Sequence, residues 1–107
     1  MPQADLFFTT DKTLPAREIL AQIQGVIAGF DTTAGACKGR AHPISDYHHS
    51  HVLLRLSMLP KPHRDDAYAT ELGRRLMEVL RQHAAAPCVV NVHIRFDLVH
   101  YTTLVLD

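Results

Sequence analysis

Four stretches of the chain have the residue pattern of β-strands. Residues 3–9, His51 to Leu59 and Cys88 to Val99 alternate between two sets of side chains at every second position, the period of a strand with one buried face. A shorter stretch, Lys38 to Ile44, contains a proline near its end and predicts a fourth, short strand. The chain should therefore contain four strands.

Two further stretches repeat apolar residues every three or four positions, which predicts amphipathic helices. The first covers residues 14–28, with Thr13 as its predicted N-cap. Gly29 is predicted to end this helix as a C-terminal cap in the left-handed conformation. The second covers residues 63–84, and two aspartates favour its amino-terminal end. Each helix follows a strand and a proline-containing loop.

The order of these elements predicts an α/β (α+β two-layer) fold in a single domain, residues 1–107. Two βαβ units, related by a weak internal repeat, would form a four-stranded mixed sheet with both helices on one face. The other face of the sheet would lack a covering layer. The segment Tyr101 to Leu106 is also too apolar to stay in solvent. We therefore expect a homo-oligomer, and a homotrimer in particular.

Composition excludes several partners. Eleven basic residues balance eleven acidic ones, which argues against nucleic acid or an anionic membrane as the main partner. Any anion must then be bound locally by a few cations. No apolar run is long enough to span a membrane, no signal segment is recognisable, and the two cysteines suggest reduced thiols. We expect a cytoplasmic protein.

The start of the chain, Met1 to Phe8, carries the first candidate for chemistry. Methionine is normally removed when the next residue is small, which would leave Pro2 as a secondary amine at the tip of a strand. An apolar, cation-rich surrounding lowers the pKa of an α-amine from about 8, so the amine could act as a general base near neutral pH. The alternative is an ordinary, frayed terminus without a function.

The chain resembles the 5-carboxymethyl-2-hydroxymuconate isomerase family of the tautomerase superfamily. The resemblance covers nearly the whole chain: the Met1-Pro2 start, the segment Gly39 to His42, the helix sequence GRRLMEVLRQHAA and the strand VNVHIRFDLVHYTTL. It implies a trimer of paired βαβ units and catalysis without a cofactor. It also implies an amino-terminal proline as the base and arginines that bind the carboxylates of a small substrate.

Carried over by position, this resemblance makes Pro2 the catalytic amine and makes Arg40 and Arg64 substrate-binding residues. Lys38 stands where close relatives carry a further arginine. A lysine keeps the positive charge but cannot bind a carboxylate with two parallel N–H groups, as a guanidinium does. His42 is the histidine that we expect to assist substrate binding. The Asp31–Gly39 and Ser45–Ser50 connections are shorter than those of the family, which leaves the substrate open.

Other functions remain as alternatives. The nearest is a superfamily relative that uses the same proline for dehalogenation or decarboxylation, and a different class is a non-catalytic trimeric binding module. The cluster of His48, His49 and His51 lacks an accompanying carboxylate or cysteine pattern, so we expect no metal site. The cysteines lack a paired base, which argues against a thiol nucleophile.

Overall fold

The predicted order of elements is confirmed. The computed structural model describes all 107 residues. Its elements are β1 (Gln3–Thr9), α1 (Ala16–Phe30), β2 (Lys38–Ile44), β3 (His51–Ser57), α2 (Asp66–Arg81) and β4 (Val89–Arg95). The four strands form one mixed sheet in the order β2-β1-β3-β4, in which β1 and β3 are antiparallel and each edge strand is parallel to its neighbour. Two βαβ units thus meet at the central strand pair.

The helix ends differ from the predicted ends. Thr13 is not the cap of α1, because the N-cap is Pro15, which makes no side-chain capping hydrogen bond. Gly29 does not end this helix either, since the helix continues to Phe30 and leaves through Asp31 in an extended conformation. At this end of α1, the Asp31 amide donates to the carbonyl oxygen of Ile27, and its side chain makes an ion pair with Arg64. In α2, Asp65 caps the helix by accepting a hydrogen bond from the amide of Tyr68 at 2.9 Å.

The core lies between the helices and one face of the sheet. Alternate residues of the two central strands are buried there, as the alternating pattern predicts, apart from Phe8, which is half-buried. The helices contribute residues spaced three or four apart. The largest of these side chains are Leu6, Leu54, Leu56, Ile19, Ile23, Ile27, Leu72, Leu76 and Leu80. This packing positions the ends of both helices at fixed points along the sheet.

The opposite face of the sheet, here called the bare face, carries no helix. Its residues lie in rows across the strands: Gln3 beside Lys38 and Ser57, Asp5 beside Arg40 and Arg55, and Phe7 beside His42 and Leu53. The bare face is therefore charged near the amino-terminal end of β1 and more apolar towards the other end.

The carboxyl-terminal segment after β4 has no regular secondary structure. It follows the end of the sheet, where Gln3 Nε2 donates a hydrogen bond to the hydroxyl of Tyr101. Beyond this contact, Leu104 is 80% exposed and Leu106 is 84% exposed. Apolar side chains thus extend from the fold without a partner. None of the helices has the length and hydrophobicity that crossing a membrane would require.

Candidate active site

Pro2 is buried at the amino-terminal end of β1. Its carbonyl oxygen accepts a hydrogen bond from the amide of Lys38 at 2.9 Å, which joins the start of β1 to the start of β2. Because β3 is antiparallel to β1, the end of β3 lies on the other side of Pro2. In this chain the nitrogen of Pro2 is still joined to Met1. The surroundings of Pro2 are therefore built by two segments, one before β2 and one after β3.

Lys38 and Arg40 bring positive charge to this end of the bare face, and both are exposed. Arg40 Nη1 lies 3.2 Å from Asp5 Oδ2, while Nη2 donates to Gln3 Oε1 and to the carbonyl oxygen of Lys38 at 3.3 Å. These contacts turn the guanidinium towards the end of the sheet where Pro2 lies. Arg40 is therefore near Pro2, although it sits two residues further along the strand than Lys38.

The thiol of Cys37 lies next to these charges. Burial raises its pKa, and the positive charges of Arg40, the amino terminus and Lys38 act in the opposite direction. Of these groups, Lys38 and Arg40 belong to β2 itself, and the amino terminus is that of Met1. The cation-rich surrounding of Pro2 stays a prediction.

His42 lies further from Pro2 than the sequence-based prediction requires. It stands beside Phe7 in the register, and its ring stacks on the Phe7 ring with centroids 4.5 Å apart. Its Nε2 donates to Asp5 Oδ1 at 2.7 Å, because a carboxylate can only accept. Phe7, the partner of His42, lies five residues after Pro2. At about 3.3 Å per residue, His42 is therefore roughly 16 Å from Pro2 along the strand direction. A single chain does not bring these two residues together.

Asp5 holds both His42 and Arg40. Burial raises the pKa of this carboxyl, but hydrogen bonds from His42 and Arg40 outweigh that effect and hold the pKa below its usual value. Asp5 therefore stays ionised and neutralises part of the positive charge on the bare face. The alternating pattern placed Asp5 on this face but did not reveal its two partners.

Arg64 is at the same end of the molecule as Pro2 but inside the protein. Its side chain is 2% exposed, and its Nε and Nη2 each lie 3.1 Å from Asp31 Oδ2, whose side chain is 4% exposed. Its Nη1 donates to the carbonyl oxygen of Leu59 at 2.6 Å. All three nitrogens of the guanidinium are thus engaged within the chain. The structure does not place Arg64 in an open site where a substrate carboxylate would meet it.

Asp31 is the centre of a buried polar cluster that sequence reasoning missed. Its carboxylate accepts hydrogen bonds from Thr33, from the hydroxyl of Tyr68 at 2.7 Å and from His63 Nε2 at 3.1 Å, besides those of Arg64. Burial raises the pKa of Asp31, yet the hydrogen bonds from Thr33, Tyr68 and His63 hold it far below the ordinary value. Burial and the neighbouring carboxylate raise the pKa of Tyr68 to about 12. The carboxylate is therefore ionised and the phenol neutral across ordinary pH.

His48 and His49 lie in the loop before β3, and His51 is the first residue of this strand. The rings of His48 and His49 are tilted against each other with centroids 4.0 Å apart, and His51 Nδ1 donates to the carbonyl oxygen of His49. No three His, Cys, Asp or Glu side chains converge in a way that could hold a metal ion.

Two surface clefts, of about 490 Å³ and 270 Å³, lie away from Pro2. The larger is lined by Tyr47, His49, Ser50, Pro87, Cys88 and Val89. Neither cleft includes Pro2, Lys38 or Arg40. A single chain therefore gathers the charged residues around Pro2 without enclosing them in a cavity.

No protein-family model matches the sequence, and no curated protein does. Solved structures do match. A 5-carboxymethyl-2-hydroxymuconate isomerase from Deinococcus radiodurans R1 superposes with a TM-score of 0.73 and 25% sequence identity, over 88% of this chain and 81% of the other. A protein from the thermophilic fungus Aspergillus fumigatus gives a TM-score of 0.64 with 13% identity, over 88% of this chain and 73% of the other.

A fused 4-OT tautomerase, a symmetric trimer, gives a TM-score of 0.52 with 12% identity, over 87% of this chain and 85% of the other. At this identity, as with the fungal protein, the likeness concerns the fold alone. The isomerase is the neighbour that also shares a quarter of its aligned residues. The chain therefore has the tautomerase fold and resembles the 5-carboxymethyl-2-hydroxymuconate isomerases, which confirms the resemblance predicted from its sequence.

Proposed function

We propose that this protein is a cofactor-independent isomerase, a tautomerase that moves a proton within an unsaturated hydroxy-carboxylic acid such as 5-carboxymethyl-2-hydroxymuconate. The observation that carries the proposal is the position of Pro2, buried at a strand tip beside the cations Lys38 and Arg40. The likeness to a solved isomerase supports the same class of reaction.

In the proposed mechanism, Pro2 is both the base and the acid. Once Met1 is removed, the ring nitrogen is a secondary amine, and the nearby positive charges lower its pKa by favouring the neutral form. The neutral amine takes the proton of the substrate's enol hydroxyl, which leaves a dienolate, and then delivers a proton to a carbon of the conjugated chain. The enol thus becomes a ketone, and no redox step is needed. The proposal therefore requires that Met1 is absent from the active protein.

Arg40 and Lys38 are proposed to bind the carboxylates of the substrate. Their charge would also stabilise the dienolate that forms when the proton leaves. The Arg40 side chain is 41% exposed and its carboxylate partner Asp5 is 25% exposed, so a substrate carboxylate could compete for the guanidinium from solvent. His42 would contact the same substrate only from a second copy of the chain, given its distance along the strand.

A homotrimer is part of the proposal. The charged end of the bare face would remain open to the substrate, while Phe7, Leu53 and the exposed Val89 at its more apolar end would meet a neighbouring copy. The exposed apolar tail would find its partner in the same assembly, and a second copy would enclose Pro2. A tautomerase-fold neighbour that is a trimer supports this arrangement. Light scattering at micromolar concentration should give the trimer mass, and a monomer would contradict it.

The decisive experiment measures ketonisation of a small panel of hydroxymuconates by ultraviolet absorbance, with two forms of the protein. The form without Met1 should turn over at least one member, and the form that retains Met1 should be inactive, since its proline nitrogen is an amide. Pro2→Ala is a softer test, because it leaves a primary amine. Equal turnover by both forms would rule out the amine mechanism.

The same experiment separates the alternatives. Absence of turnover together with an intact Met1 in the natural protein, measured by mass spectrometry, would favour the trimeric binding module. A trimmed protein that ignores hydroxymuconates but releases halide or carbon dioxide from an unsaturated acid would favour dehalogenase or decarboxylase chemistry. The two unpaired cysteines fit a cytoplasmic setting for either reaction.

A further inference from the structure

We infer that Asp31 and Arg64 are positioning residues, and that their buried ion pair joins the two segments that flank Pro2. This inference rests on the proposed function, because it assigns the pair a role in holding the amine and its neighbouring cations in register. It replaces the direct contact with substrate that the sequence predicts for Arg64.

One segment runs from Asp31 to Lys38. The Asp31 carboxylate accepts hydrogen bonds from the amide of Thr33 at 2.9 Å and from its hydroxyl at 2.6 Å, and the Asp31 carbonyl accepts from Ala34. Further on, Gly35 adopts a positive φ of +51°. The segment then reaches the amide of Lys38, which donates to the Pro2 carbonyl at 2.9 Å. Asp31 thus holds this segment, here called the covering segment, whose end lies against Pro2.

The other segment begins directly after β3. Its Leu59 carbonyl accepts from Arg64 Nη1, and its Lys61 Nζ donates to the carbonyl oxygen of Thr33 at 3.2 Å. A single guanidinium therefore contacts both segments, Leu59 through Nη1 and Asp31 through Nε and Nη2. Breaking the Asp31 contact would release the covering segment up to Cys37, directly before the Lys38 amide that donates to Pro2. Because a displacement of about 1 Å at a reacting group can cost a hundredfold in rate, such a release would be visible in catalysis.

The first test does not depend on activity. In a Cys88→Ser background, Cys37 is the remaining thiol, and it lies in the covering segment, where its amide donates to Gln24 Oε1. We expect Asp31→Asn to raise the rate of Cys37 labelling by a small aromatic disulfide at least about tenfold, because local opening of this segment becomes easier. His63→Ala, which removes the exposed neighbour of the same carboxylate, should change the rate less than about threefold.

Loss of overall stability needs its own control. Leu80 is fully buried near the carboxyl-terminal end of α2, far from the ion pair, and Leu80→Ala destabilises the whole fold without touching the cluster. Under conditions where circular dichroism shows both variants folded, only Asp31→Asn should accelerate labelling. Equal acceleration in the two variants, or none in Asp31→Asn, would overturn the inference even if the protein has no isomerase activity.

The second test distinguishes positioning from direct substrate binding. If Arg64 acts through Asp31, then Arg64→Met and Asp31→Asn remove the same interaction. In that case kcat/KM of the double variant should lie within about threefold of kcat/KM of the less active single variant. If Arg64 binds the substrate itself, its loss would add at least about a further tenfold on top of Asp31→Asn, mainly in KM. That additive result would overturn the positioning role.

Discussion

Two long-range Asp–Arg ion pairs, each joining residues more than 30 positions apart in sequence, lie at the end of the molecule that contains Pro2. Asp31 and Arg64 are almost completely buried, with side chains 4% and 2% exposed. Asp5 and Arg40 lie on the bare face, 25% and 41% exposed. The same two side-chain types therefore meet in two different dielectric surroundings a short distance apart.

This difference decides what each arginine can do. Removing one member of a buried pair strands a charge away from water, so the pair is held firmly and its arginine is not free for a ligand. An exposed pair contributes little to stability, because water competes for both partners. Its arginine can exchange one carboxylate for another at small cost. Burial, more than residue type, thus separates the positioning arginine from the proposed substrate-binding arginine.

The largest expected effect tests the buried pair. Asp31→Asn leaves Arg64 with a buried, uncompensated charge, and we expect the free energy of unfolding to fall by about 3–5 kcal/mol, measured by urea denaturation. For a domain of about this size that corresponds to a drop in Tm of at least roughly 10 °C. A loss below about 1 kcal/mol would mean that the pair behaves like an exposed one.

The stability of the protein should depend on the Asp31 cluster at both acidic and alkaline pH. The folded-state pKa of Asp31 lies below its unfolded value of 3.8, so its contribution is present above that pH and is lost as pH falls below it. Tyr68 behaves in the opposite way. Its folded-state pKa of about 12 exceeds the unfolded value of 10.0, so its contribution is present below pH 10 and is lost as pH rises towards 12.

A shift of this size in Tyr68 corresponds to about 2–3 kcal/mol. Tyr68→Phe should therefore flatten the stability profile between pH 10 and about 12 in urea titrations, relative to the unsubstituted protein. Tyr101→Phe, at a half-buried position in the tail, serves as the control for a general effect of removing a phenol. Profiles that stay parallel for all three proteins would contradict the assigned shift.

The exposed pair is tested next, through activity. Arg40→Ala should lower kcat/KM at least about tenfold, because hydrogen bonds to charged groups contribute roughly 1.5–3 kcal/mol. Stability should change by less than about 1 kcal/mol. Arg74→Ala removes an equal charge from an exposed pair with Glu71 on α2 and should leave the kinetics unchanged. Near-unchanged kinetics in Arg40→Ala would remove this arginine from the site.

Much of the fold was predictable because it depends on local patterns. The strands at residues 3–9 and 38–44 match their predicted bounds, since alternation and flanking turn residues lie within each segment. The predicted ends of α1, residues 14 and 28, were wrong, since the helix runs from Ala16 to Phe30. Asp31, the residue that follows it, bonds to Arg64, and no local signal in the chain marks that contact.

The candidate site was predictable only in part. The resemblance to the family pointed to Lys38 and Arg40, and the observed pairing of β1 with β2 puts Lys38 beside Gln3 and Arg40 beside Asp5. Sequence could not show that Arg64 is buried, since an arginine just before a helix is more often exposed, and the residue that buries and neutralises it is distant in the chain. His42 lies on the expected face, but its distance from Pro2 follows from the register, which the sequence did not specify.

The smallest expected effect comes from Asp5→Asn, the same chemical change as Asp31→Asn made on the bare face. We expect the free energy of unfolding to change by less than about 1 kcal/mol, and by still less in 0.5 M salt, where a Debye length of about 4–5 Å screens exposed charges. KM for an anionic substrate should stay equal or fall, since Arg40 loses its competing carboxylate. Glu78→Gln, which removes the exposed partner of Arg81 on α2, provides the control. A stability loss as large as that of Asp31→Asn would place Asp5 inside a subunit interface, and the charged half of the bare face would then not be open to substrate.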